Sequence, residues 1–121
     1  QLLTELATGL AALRTALIAS GDWDRVLIST YSEFGRRASE NGSEGTDHGT
    51  AAPHLLLGGR VKGGLAGAQP DLGTLEKNDL VFTTDYRQLY ATIEQQWFQL
   101  PANPLISRGA RPLPVLREKP L

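Results

Sequence analysis

Cysteine is absent from the 121-residue chain, which excludes disulfides, thiolate zinc sites and cysteine nucleophiles but leaves the compartment undecided. Methionine is absent too, even at the first position. The sequence opens on Gln1 inside a helical pattern, which predicts a fragment or a processed product whose signal peptide, if any, is gone. No apolar run approaches the ~20 residues that span a bilayer, so no membrane span is expected. Basic charge is not in surplus: twelve Lys and Arg stand against thirteen Asp and Glu, for a net charge of −1. Electrostatic capture of nucleic acid is therefore not expected. The remainder is ordinary for a folded protein, with 40% hydrophobic and 21% charged residues. That composition and length suit a single domain or a fragment, 1–121.

Leu2, Leu3, Leu6, Leu10, Leu13 and Leu17 recur at three- and four-residue steps. That spacing predicts a helix over 2–19 packed by its leucine face, closed by Gly21. "DRVLIST" (24–30) is short, β-branched and largely apolar, and reads as a buried strand of parallel type. "PHLLLGG" (53–59) reads as a second, with 24–30 and 53–58 expected side by side in one sheet. Between them lies "SEFGRRASENGSEGTDHG" (32–49), expected to be a polar loop at the carboxyl end of the first strand. Ligands of α/β sheets sit beyond such strand ends.

The glycine-rich stretch 58–73 reads as turns with room for one short hairpin. Its "GGRVKGG" has some look of a phosphate loop, but it lacks the GK[ST] ending and the strand-to-helix setting, so a nucleotide site is rejected. "TTDYRQLYATIEQQWF" starts a helix, capped by Thr84 or Asp85 with Gln88 as capping-box partner. Tyr86, Leu89, Tyr90, Ile93 and Trp97 fall on one face, and Pro101 marks the end. The proline-rich 101–121 is expected to be extended and to pack over the surface.

The chemistry concentrates in 32–49. Glu33, Asp47 and His48 are side chains suited to Zn²⁺ or Mn²⁺. Asp47 and His48 converge only if the backbone bends, because neighbours on an extended segment point to opposite sides. Arg36 or Arg37 could hold a phosphate or sulfate through its planar fork, and a metal beside an arginine suits hydrolysis of a small anionic ester. A plainer reading stands beside this one. Glu33 pairs with Arg36 on the surface, worth well under ~1 kcal/mol, and "EGTDHG" is only a turn. His54 reads as a strand-entry residue with a satisfied hydrogen bond.

The pieces SEFGR, N-G-x-x-GTDHG, GGxVKGG and D-[YF]-R occur in that order. With them, residues 2–98 closely resemble the C-terminal part of the bacterial domain-of-unknown-function family 1501, itself similar to alkaline phosphatases and sulfatases. The resemblance implies an α/β fold in which this chain is the C-terminal portion of an alkaline phosphatase-like fold: a partial sheet with flanking helices. It also implies a two-metal hydrolytic site at the strand ends. Ser32-Glu33-Phe34-Gly35 is the preferred counterpart of that superfamily's Asp-His-Gly motif, with His48 as the later histidine. The alternative is Asp47-His48-Gly49 itself. In the preferred assignment Phe34 stands where the superfamily places a metal-binding histidine.

The nucleophile strand would lie N-terminal to these residues, so neither Ser32 nor Thr46 is assigned that role, and the missing N-terminal part of the same protein is an expected partner. Glu33, Asp47 and His48 are the expected metal ligands, and Arg36 the substrate-binding residue. The competing expectation is a non-catalytic relative serving in binding or as a structural protein. Relatives of this kind imply a periplasmic or exported location.

Overall fold

A computed structural model describes residues 1–118. The chain is a mixture of helices and small antiparallel sheets, α/β in the general sense.

Helix α1 spans Leu2–Ser20 and ends as its sequence predicts. Gly21 adopts the left-handed conformation (φ 76°), and its N–H caps the carbonyl of Ile18. Its leucine face does not pack as expected. No residue of α1 is buried, and Leu2 and Leu3 are 80% and 81% exposed. The correction has a simple cause. A leucine stripe demands cover, and among the described residues the helix is approached mainly by the turn that follows it, where Arg14 lies over the Trp23 ring at 5.7 Å. By length and composition α1 is apolar enough to cross a membrane, because Thr, Ser and Gly interrupt its apolar run without adding charge, and only Glu5 and Arg14 are ionic. A core helix or a signal sequence meets the same criterion.

The strand expected at 24–30 is shorter than its apolar run. Trp23–Arg25 form a 3₁₀ turn, and β1 covers only Ile28–Ser29. The second run yields β4, Leu56–Leu57, which pairs with β1 as expected, Ile28 opposite Leu57 and Ser29 opposite Leu56. The pairing is antiparallel, not of parallel type. The chain between them forms no crossover helix, the usual link between parallel strands; it folds out and back as a hairpin and returns beside β1 in the opposite sense.

That hairpin replaces the loop expected at 32–49. Strand β2, Gly35–Glu40, pairs antiparallel with β3, Thr46–Gly49, and the register shifts between Arg36 and Glu40. Asn41 organises the turn: its Oδ1 accepts from the Ser43 and Gly45 amides, and its own amide donates to the Gly45 carbonyl. A second hairpin joins β5, Leu75–Glu76, to β6, Asp79–Leu80. Lys77 and Asn78 between them have φ of 53° and 61°, the paired positive values of a type I′ turn.

Helix α2, Tyr86–Thr92, begins at the expected capping box. The Asp85 carboxylate accepts from the Arg87 amide, and Gln88 Oε1 accepts from the Asp85 amide. The helix widens into a π segment over Ile93–Trp97, so Phe98 N–H reaches the Ile93 carbonyl. The buried face is not the aromatic stripe. Ala91, Thr92 and Glu94 are buried, whereas Tyr86 is 65% exposed.

The tail is not simply extended: Asn103 caps a short helix α3, Pro104–Ser107, with Pro104 at its first turn. It does pack over the surface. Leu113 N–H donates to the buried Thr92 hydroxyl, and Leu116 bridges Val61. The last residues of the expected tail, 119–121, lie outside the described part. Buried Arg60 ties the layers together. Its guanidinium lies 4.7 Å from the Trp97 ring centroid and donates to the carbonyls of Gln96 and Arg117. This accounts for the Arg of "GGRVKGG" as an architectural clamp.

Among the described residues only Ala91 and Leu116 are buried apolar side chains. The chain exposes 9275 Å², against about 6,400 Å² for a compact monomer of its mass. Much apolar surface is thus left without cover.

Candidate functional site

Gly35 sets the geometry of the first hairpin. A Cβ built there would stand 2.1 Å from the Ala51 carbonyl oxygen, so only glycine lets β2 run against 50–51, where Arg36 N–H donates to that same oxygen. From this anchor the register places Arg36 directly opposite His48. Cross-strand partners share a face, and the aromatic neighbours follow from that. The Phe34 ring stacks on the His48 imidazole at 3.5 Å and 14°, and the Arg36 guanidinium lies 5.3 Å from the Phe34 centroid. The expected Glu33–Arg36 surface pair is not made. Arg36 instead donates to the Thr46 carbonyl at 2.7 Å, bracing the hairpin across its mouth.

Asp47 sits one residue before His48 on β3, so its side chain leaves by the other face. It accepts from the Asn41 side-chain amide at 3.0 Å, which joins it to the turn. Glu33 is exposed on the approach to β2. The structure therefore brings together Arg36, His48 and Phe34, and leaves Glu33 and Asp47 separate from them. Among the described residues no three His, Cys, Asp or Glu side chains are grouped to hold a metal ion. Glu33, Asp47 and His48 thus leave the hairpin in different directions.

His54 behaves as a strand-entry residue: its Nδ1 lies 3.1 Å from the Thr30 carbonyl, and the Leu55 amide donates to the Thr30 hydroxyl. Sequence reasoning missed Asp79. The second hairpin lies against the first, and a Cβ on Gly49 would stand 2.7 Å from Asp79 Oδ1. The Thr50 hydroxyl donates to the Leu80 carbonyl, fixing that approach. A cleft of about 310 Å³ between the hairpins is lined by Arg37, Lys77, Glu76 and Asp79 among others. Nothing local to "EKNDL" signals this, since it depends on how two hairpins dock.

At the start of α2, Arg87 folds back onto Asp85, its Nε donating to both carboxylate oxygens at 2.9 and 3.0 Å. The guanidinium holds the Asp85 carboxyl below its ordinary value, and the carboxylate in turn raises Arg87. The sign follows from linkage: a depressed folded-state pKa adds stability above the unfolded value, and that stability is lost as pH falls through the folded one. The α2 cap should therefore persist at neutral pH and open only below the usual carboxylate range. A ¹³C-carboxyl NMR titration of Asp85 checks this, and a midpoint at or above the free-aspartate value would contradict it.

The fold and hairpin site define a mixed α/β chain with an exposed basic and aromatic face. Within that class, the chain belongs to the DUF1501 family, proteins of unknown function, whose model matches residues 1–107. Comparison with curated proteins and with solved structures finds no match.

Proposed function

We propose that the chain is the C-terminal portion of a phosphatase/sulfatase-like hydrolase with an alkaline phosphatase-like fold. Its first hairpin forms one wall of a site completed elsewhere in the protein. The observation that carries this reading is the cross-strand pairing of Arg36 with His48 on one exposed face. It sets a permanent cation beside an imidazole, the combination that receives a small anionic ester and offers a nitrogen for proton transfer. In this reading Arg36 orients the ester. Of Glu33, Asp47 and His48, His48 shares a face with Arg36 and would be this hairpin's contribution to a divalent-metal site for Zn²⁺ or Mn²⁺ whose other ligands come from the N-terminal part. Such a metal would supply Lewis-acid polarisation of the ester oxygen. A periplasmic or exported location belongs to the same proposal.

The second reading is a non-catalytic relative that binds or serves as a structural protein. It draws support from the Phe34 ring, which covers one face of His48, and from the dispersed carboxylates.

The test is hydrolysis of p-nitrophenyl phosphate and sulfate by a longer protein that carries this chain, with His48→Ala and Arg36→Gln variants. The hydrolase reading expects the Arg36 variant to raise KM and the His48 variant to lower kcat by about 10²-fold. Parent activity unchanged in both variants, or no activity in the parent, favours the non-catalytic reading.

A further inference from the structure

The D-Y-R piece, Asp85-Tyr86-Arg87, is not used by the hairpin site, and it borders a separate cavity. This cavity of about 370 Å³ lies between the start of α2 and the turn after α3, with Asp85, Arg87, Gln88, Ser107, Arg108 and Arg111 in its lining. Three arginines and one carboxylate thus border it. That carboxylate is fully engaged: it caps α2 through the Arg87 amide and takes the Arg87 guanidinium through both oxygens. Arg87 and Asp85 neutralise each other. Arg108 and Arg111 form no ion pair among the described residues, although the chain as a whole has more acidic than basic side chains.

The backbone carrying these two arginines is held in place. Ser107 is 2% exposed, and its hydroxyl donates to the Asn103 carbonyl. The Ala110 amide closes back on the Ser107 carbonyl at 2.8 Å. Arg108 and Gly109 take consecutive left-handed conformations, with φ of 46° and 81°. The Gln88 side chain donates to the Arg111 carbonyl, tying the turn to α2. Two exposed arginines, in no ion pair among the described residues, are therefore carried on fixed backbone beside one concavity. Such an arrangement lowers the ordering cost of binding an anion.

We propose that this cavity is a binding site for a tetrahedral oxyanion, a phosphate or sulfate group, held by Arg108 and Arg111. A carboxylate is satisfied by a single guanidinium fork, whereas a tetrahedral dianion offers enough oxygens for two forks at once. The electrically balanced Asp85–Arg87 pair forms a polar wall that does not repel the ligand. The site shares no residue with the hairpin, so it stands or falls separately from the hydrolase reading.

The experiment is an NMR titration of the arginine Nε–H signals of the full chain with inorganic phosphate and, separately, sulfate. Chloride holds the ionic strength constant. Saturable shifts of Arg108 and Arg111 are expected with both anions at pH 8. At pH 5.5, phosphate should weaken as it loses charge while sulfate should not. Arg108→Gln/Arg111→Gln should weaken binding at least tenfold, and Arg108→Lys/Arg111→Lys should fall between this variant and the parent. The charge-matched Arg25→Gln/Lys77→Gln control and the hairpin variant Arg36→Gln should bind as the parent does. Circular dichroism of each variant reports that the fold is kept. Absence of saturable binding in the parent overturns the proposal. So does a double Gln variant within twofold of the parent, or a charge-matched control that loses as much.

Discussion

Incubated alone with p-nitrophenyl phosphate or sulfate and added Zn²⁺ or Mn²⁺, the 121-residue chain should give no turnover above the buffer rate. A catalytic metal is held by about three protein ligands with one position open, and neighbouring groups fix their orientation. This chain gathers no such group among the described residues. Its candidate ligands leave the hairpin in different directions, with Asp47 engaged by Asn41 and His48 covered on one face by Phe34. Converging them would require breaking β3 and ordering the exposed Glu33 side chain, and both steps oppose metal capture. The assay is run beside Glu33→Gln/His48→Ala. Robust turnover by the chain, abolished in the double variant, would show that it carries a complete active site.

The second large effect is expected at Gly35. Gly35→Ala should cost about 3 kcal/mol, the upper end of the usual range for forcing atoms into occupied space. The added methyl collides with the Ala51 backbone and not with a mobile side chain. The strand must move away, which breaks the Arg36–Ala51 hydrogen bond and with it the register that sets Arg36 opposite His48. The readout is the ring-current shift of the His48 protons under Phe34, together with amide-exchange protection at Arg36. Both should be lost. Gly42→Ala in the same hairpin meets nothing within 4 Å and should leave both signals intact. A stacked His48 in the Gly35 variant would show that the hairpin tolerates the shift.

The parts of this architecture that were legible in the sequence are those decided locally. The Gly21 cap and the Asp85–Gln88 box depend on residues within four positions, and both form as read. Adjacency of the apolar runs around Ile28 and Leu57 was also legible, because two short apolar strands must cover each other. Their antiparallel direction was not, since it follows from the intervening hairpin.

That hairpin was hidden by its own exposure. After Gly35, every residue of β2 faces solvent, so the apolar–polar alternation that identifies a strand is missing. For the site, the polar composition of 32–49 marked the right stretch. The partners were not legible, because Arg36 meets His48 through strand register and Asp79 meets Gly49 through hairpin docking. The leucine stripe of α1 announced a face needing cover, and no pattern within the helix identifies the covering surface.

The uncovered α1 also bears on the lifetime of the chain in a cell. Leu2, Leu3, Leu6 and Leu13 on one exposed helix form the kind of accessible apolar surface on which chaperones and proteases act and through which chains aggregate. Abundance should therefore depend on how quickly that stripe is covered. A pool of this chain deprived of its cover should be cleared well before its hairpin chemistry matters. Selection on α1 would then act through survival of the protein, and substitutions far from Arg36 and His48 could abolish function without touching either residue.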